Sequence, residues 1–288
     1  MPVSILPSAP VLPDDWLVPS LGAGVGACMT ARSIHHPAAR SSPPYDRFNV
    51  GTHVGDAPEA VAANRAFLSE AIGQPVCWLN QVHGNHVVQA RANGSGSSDV
   101  PDADGSWTTE PGVACAVMVA DCLPVLLAAP DGRGVAALHA GWRGLAGAGA
   151  MQGQGILESG VRALCEAAAV SPQELVAWLG PCIGPTQFEV GADVLAGFGV
   201  SEGDTRTDEW RHGFKRAEPK EPKAGQLCEP KWWADLPELA RMRLNALGIR
   251  RVAGGQWCTA SDSSRFFSFR RDRVTGRQVA CIWLTDRG

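Results

Sequence analysis

The 288-residue chain has one tyrosine, seven histidines, no C-x-x-C pair among its nine cysteines and no apolar run long enough to span a bilayer. Each shortage excludes something. Scattered, odd-numbered cysteines make no disulfide framework and fit reduced thiols in a reducing compartment. Met1 to Ser20 has no basic start and no long apolar stretch, and Pro2, Pro7, Pro10 and Pro13 interrupt it, so it does not read as a signal peptide. A net charge of −4 leaves no basic field for nucleic acid. No P-loop, G-x-S-x-G or H-E-x-x-H motif stands out. With seven histidines, three or more of them in loops, the chain is short of the ligands a multicopper oxidase requires. The expectation is a cytoplasmic protein acting on a small molecule, with no nucleic-acid or membrane partner; no motif bears on oligomeric state.

What is present is a globular composition, 45% hydrophobic and 19% charged, with 33 glycines and 21 prolines to serve many turns. No internal repeat or linker divides the chain. Residues 1–288 read as one domain, with 1–20 an extended N-terminal segment. Asp56-Ala57-Pro58-Glu59 opens a helix with Asp56 as a cap candidate; Val61, Leu68 and Ile72 line one face and Gly73 ends it. Val76 to Leu79 is a strand, Asn80 to Gly84 a turn, and His86 to Ala90 its return. Asn93 to Asp104 is a Gly/Ser/Asp loop. Val113 to Val119 and Leu123 to Ala129 are buried strands by their continuous apolar character. Asp131-Gly132 turns the second into Gly134 to His139. A helix is expected from about Gly141 to Ala169, a turn and strand after Ser171, a short helix over Gly191 to Phe198 and an excursion over Thr205 to Glu229. Asp235 to Leu247 is a helix, followed by strands near Ile249 to Ala253, Phe266 to Phe269 and Gln278 to Leu284. Strands and helices mix without a βαβ rhythm, which predicts a layered α/β (α+β) sandwich of mixed sheets.

Chemistry concentrates at the ends of these strands. Cys122 precedes one arm of the predicted hairpin and His139 ends the other. His83 sits in the polar turn Asn80-Gln81-Val82-His83-Gly84, where a core role is improbable. Spacings of 39 and 17 residues match no local metal motif, and scattered Cys and His more often pack in cores. Two imidazoles and a thiolate nevertheless suit zinc with one position open. Cys122 has a second reading, as a nucleophile or acid–base group. Arg143, between Gly141 and Gly144, is read as an anion clamp against the plainer alternative of a solvated arginine. Arg270 and Arg271 read as charges solubilising a strand edge. Asp104, Gln187 and Glu189 are weak candidates near element ends. His35, His36 and His212 read as solvated, and His53 and His86 are ambiguous.

Five motifs, in order, resemble the signature series of the YfiH-type family: Asn80 to Gly84, Ala120-Asp121-Cys122-Leu123-Pro124, Leu138 to Gly144, Gly180-Pro181-Cys182-Ile183-Gly184-Pro185, and Phe266 to Asp272. The likeness runs from about Asn49 to the C-terminus. Proteins of this family have been called polyphenol oxidoreductases or laccases, purine nucleoside phosphorylases and peptidoglycan editing factors. The resemblance implies a compact layered sandwich, a metal site of His83, Cys122 and His139 holding zinc, with copper as the alternative, and phosphorolysis of adenosine, inosine and methylthioadenosine together with adenosine deamination. Catalytic roles then fall to Cys122, His83 and Arg143, with Arg143 on the phosphate. Thr30-Ala31-Arg32-Ser33 and the residues after it depart from the family's Thr-Arg-x-Gly-Gly-like turn, so the pocket rim there is expected to differ. The alternatives are a copper-dependent phenol oxidase, a hydrolase editing peptidoglycan precursors, and a metal-binding protein without catalysis.

Overall fold

A computed structural model describes residues 12–34, 39–92, 100–206, 208–218 and 229–285. Much of the expected 93–104 loop and part of the 205–229 excursion lie outside these residues, as do His35, His36 and the first half of the N-terminal segment. The elements are β1 (Val25–Met29), α1 (Pro58–Ile72), β2 (Val76–Cys77), β3 (Val87–Gln89), β4 (Gly105–Thr108), β5 (Ala114–Val119), β6 (Leu123–Ala128) and β7 (Val135–Ala140). There follow α2 (Trp142–Ala146), α3 (Ile156–Ala168), β8 (Val176–Leu179), β9 (Glu189–Val190), α4 (Ala192–Gly197), β10 (Phe214–Arg216), β11 (Trp232–Ala234), α5 (Leu236–Ala246), β12 (Arg251–Gly254), α6 (Phe269–Asp272) and β13 (Gln278–Leu284).

Two mixed sheets stack face to face: one in the order β1-β13-β5-β2, the other β12-β8-β6-β7-β4-β3. A three-stranded sheet, β10-β11-β9, stands beside them. The apolar run of β5 is buried on both faces because alternate residues serve different layers. Ala114, Ala116 and Met118 pack outward with Leu68 and Ile72 of α1. Cys115, Val117 and Val119 pack inward with Leu126, Ala128, Val135 and Ala137 of the second sheet. The far face of that sheet, through Leu123, Val125, Leu127 and Leu138, packs on Leu157, Val161 and Leu164 of α3 and Leu239 and Leu244 of α5. The result is helix, sheet, sheet, helix: the layered sandwich the alternation implied.

Several local expectations change. Val76 and His86 do not begin two arms of a hairpin: β2 pairs with β5 and β3 with β4, so the segment between them crosses from one sheet to the other. The helix expected from Gly141 to Ala169 breaks at Gly147, whose φ of 66° is left-handed and whose added Cβ would lie 2.5 Å from the Gly153 carbonyl carbon. Phe266 and Phe267 are buried outside any strand, because the Gln278 side chain pairs with the Phe267 backbone in place of a neighbouring strand, at 2.7 and 3.1 Å. Ser268 then caps the short α6 through the Arg271 N–H. Asp56 does not cap α1; its carboxylate accepts from Ser41 and Asn49 at 2.6 and 2.9 Å.

Candidate metal centre and cleft

Sheet register assembles the site. In the β6–β7 hairpin Pro124 faces His139, and in the β4–β7 pair Gly105 faces Leu138. One step beyond each ladder, the same register sets Cys122 against Gly141 and Asp104 against His139. Side chains alternate along strands, so Cys122, His139 and Asp104 share the face turned to the other sheet. The register also accounts for Gly141: a Cβ there would meet His83 Cδ2 at 2.9 Å and Cys122 Sγ at 3.2 Å. The loop between the two sheets delivers His83, whose φ of 61° lies in the left-handed region.

Asp104 fixes both histidines. It is fully buried, and its carboxylate accepts from the backbone N–H groups of Val82, His83 and Gly84 at 3.2, 2.9 and 2.6 Å. It also bonds His139 Nδ1 at 2.8 Å. That bond occupies one ring nitrogen and leaves Nε2 for a ligand, the arrangement by which carboxylates orient metal-binding histidines. Cys122 Sγ lies 3.8 Å from His83 Nε2, and the two imidazoles meet edge to face with centroids 4.8 Å apart. One ligand atom from each of His83, Cys122 and His139 lies within 4.8 Å of the others, the one such group of three among the described residues. Two imidazoles, one thiol, a fixed ring and a solvent-open edge fit a single transition metal of borderline softness.

The electrostatics agree with ligand duty. Burial alone would raise the Cys122 thiol, but the charge and hydrogen bond of His139, with His83 behind them, bring it down to about 6. Burial would lower His139; the Cys122 thiolate and Asp104 reverse this and raise it to about 9. Burial likewise opposes ionisation of Asp104, yet His139 and the loop N–H groups hold its carboxyl below the usual carboxylate value.

The triad lies in the wall of a cleft of about 380 Å3, lined also by His53, Gln81, Asp121, Ile183, Phe188, Phe269, Arg270 and Arg277. Gln81 is clamped to Met118 of β5 by two hydrogen bonds of 2.8 Å. Asp121, at φ 96°, accepts from the Thr259 hydroxyl and the Arg270 N–H, each at 2.6 Å, and so ties the Cys122 turn to α6. Phe269, 48% exposed, offers the cleft a bare aromatic face.

Arg143 is not among the residues lining the cleft. It is exposed on α2, with its guanidinium over the Trp142 ring at 4.4 Å from the centroid. The glycines flanking it have packing roles, Gly141 in the close approach of His83 and Cys122 and Gly144 in that of the Gly84 carbonyl. Arg270, read as a solubilising charge, and Arg277, unremarked in the sequence, line the cleft instead. Gln187 and Glu189 contribute carbonyl oxygens to the Arg270 guanidinium. His86 bonds the Asp102 carbonyl and stays outside the triad. Asp104 is the functional residue sequence reasoning undervalued; its place before Gly105 acquires meaning only through the strand register.

Over most of its length the chain is similar to named proteins and to solved structures. The Pseudomonas aeruginosa purine nucleoside phosphorylase is 42% identical over 96% of this chain and 98% of its own. Purine nucleoside phosphorylase YfiH of Escherichia coli is 39% identical over 91% and 94%. A solved Neisseria meningitidis protein superposes with a TM-score of 0.77 at 40% identity, covering 94% of this chain and all of that one. YlmD of Geobacillus stearothermophilus gives 0.75 at 28% identity, covering 95% and 100%. The family described as multi-copper polyphenol oxidoreductase laccase matches residues 28–285, and the chain belongs to it: it is a YfiH-family protein.

Proposed function

We propose that the protein is a purine nucleoside phosphorylase that also deaminates adenosine and cleaves methylthioadenosine, with zinc at His83, Cys122 and His139. One observation carries this reading: a metal-binding triad locked by Asp104 opens onto a cleft with an aromatic wall, in a chain about 40% identical to relatives named purine nucleoside phosphorylases. The cleft volume falls within the range of about 300–1,000 Å3 common to small-molecule sites. Phe188, Phe269 and Ile183 supply apolar surface for a purine. Gln81 and Asp121, each held by backbone or side-chain bonds, keep the cleft floor rigid. His139 and His83 favour the thiolate form of Cys122, the form that binds metal. A zinc ion held by His83, Cys122 and His139 would supply a Lewis acid able to activate water, the chemistry deamination at purine C6 requires.

Incubating the purified, zinc-loaded protein with adenosine, with and without phosphate, tests this. Adenine released only with phosphate, and inosine released regardless, are the expected results; neither product overturns the proposal. The family's description favours a second reading, copper-dependent phenol oxidation. A single three-ligand group among the described residues argues against a multicopper set. Oxygen uptake with a phenol, rising with bound copper, would favour oxidation.

A further inference from the structure

Four arginines away from the cleft pair with carboxylates, Arg32 with Asp46, Arg243 with Glu158, Arg271 with Asp272 and Arg211 with Glu209, while Arg133, Arg241 and Arg251 rest on backbone carbonyls. Arg277, in the cleft wall, and Arg65 are of the second kind. Arg277 donates from Nη1 to the Thr275 and Gly276 carbonyls at 3.2 and 3.0 Å. Arg65, just behind, donates from Nε to the Val50 carbonyl at 2.8 Å, contacts Met118 Sδ at 3.6 Å and lies over the Trp78 ring at 3.8 Å. Neither has a carboxylate within ion-pair distance among the described residues. The negative groups acting on Arg277 are the Cys122 thiolate and Asp121, and Asp121 is already bonded to Thr259 and the Arg270 N–H. His53 lines the cleft with no hydrogen-bond partner among the described residues, in the field of both arginines. Neutral acceptors hold each guanidinium in place without cancelling its charge. Both guanidiniums act on His53 in the same sense, so a positive field stands at this side of the cleft, and an anion placed there would be attracted by it.

We infer that Arg277 and His53, backed by Arg65, form a subsite for a phosphate group beside the metal centre. This rests on the phosphorylase reading and gives its second substrate a place. Hydrogen phosphate held there would attack C1′ through one oxygen as the C1′–N9 bond breaks; the bonding pair leaves with the purine, and the phosphate's proton ends on the purine nitrogen. The same chemistry would bind either free phosphate or the 5′-phosphate of a nucleotide. Burial and the two guanidiniums hold His53 below its ordinary value, and burial pushes Arg65 down to about 10, both consistent with positive charge left uncompensated.

The test is binding of inorganic phosphate and of adenosine 5′-monophosphate to the zinc-loaded protein and to Arg277→Met and His53→Gln, with KM for phosphate measured wherever turnover occurs. Losing a charge-assisted contact weakens binding roughly tenfold to hundredfold, so Arg277→Met should raise the phosphate KM by that factor and move the nucleoside KM far less. His53 is exposed, and His53→Gln, which leaves the core untouched, should give a smaller rise even if Arg277→Met fails to fold. Weakened inorganic phosphate binding supports free phosphate as occupant; weakening of the nucleotide alone assigns the site to a 5′-phosphate. Unchanged affinity for both anions in a folded variant overturns the subsite. If phosphate binding depends on Arg277 but no nucleoside is ever cleaved, the subsite stands and the phosphorylase reading falls.

Discussion

The two sides of the cleft solve opposite problems. At the metal side the charged groups face protein partners: Asp104 binds His139 and three loop N–H groups, and Cys122 faces two imidazoles. At the arginine side Arg277 and Arg65 are held through carbonyls, a sulfur and an aromatic face, and among the described residues no carboxylate forms an ion pair with either, although Cys122 and Asp121 act on Arg277. The contrast teaches that a protein can fix the position of a charge without neutralising it. One side has the donors to hold a metal ion, and at the other we infer an anion that comes and goes.

The largest effect should come from breaking the metal side. Cys122→Ala or His83→Ala should take bound zinc from stoichiometric to background and abolish adenosine turnover, checked by metal analysis beside the adenosine assay; full zinc and full turnover in either variant would remove the ligand assignment. Asp104→Asn leaves the ligands but loosens their support, and about 10–100-fold loss of metal affinity is expected in a chelator competition. The same variant has a pH signature. The Asp104 carboxyl is depressed below its ordinary value of 3.8, so its stabilisation is complete above that value and lost as pH falls through the lower folded one. Unfolding midpoints of wild type and Asp104→Asn should therefore differ at neutral pH and converge in acid.

Gly141→Ala tests how tightly the triad is packed. Its Cβ would force His83 and Cys122 apart, at about 1–3 kcal/mol of stability by denaturant unfolding, with weaker zinc binding. In metal-free protein the ultraviolet absorbance of the Cys122 thiolate should titrate at about pH 6, and His139→Gln should shift that titration upward, because burial then acts with less opposition. The smallest effect is expected at Arg143. Exposed and absent from the cleft lining, Arg143→Ala should change stability by no more than about 0.5 kcal/mol and leave the phosphate KM in place. A large rise in that KM would return the phosphate contact to α2 and dissolve the contrast between the two sides.

Legibility followed the range of the forces involved. The β6–β7 hairpin was readable because its apolar runs and the Asp131-Gly132 turn are local signals, and that hairpin alone brings Cys122 and His139 to one end. α1, α5 and β13 were readable for the same reason. The crossing of residues 78–86 between sheets was not, since short apolar segments carry no label for the sheet they join. Phe266 and Phe267 read as a strand by composition, but a glutamine eleven residues on supplies the backbone bonds that decide their conformation. The glycines that suggested an anion loop at Arg143 also have a packing role that spacing along the chain does not reveal: Gly141 makes room for His83 and Cys122, and Gly144 for the Gly84 carbonyl.

By itself, then, the sequence determined the continuous apolar runs that bury both faces of the strands, the hairpin, and the chemical types of the three candidate ligands, all of which depend on neighbours along the chain. Tertiary structure decided that Asp104 stands opposite His139, that His83 arrives on a loop between sheets, and that Arg277 and Arg65 act together on His53 with no ion-paired carboxylate among the described residues. Those relations join residues up to 224 positions apart (Arg277 less His53), and only register and sheet stacking, which depend on the whole packed core, can set them.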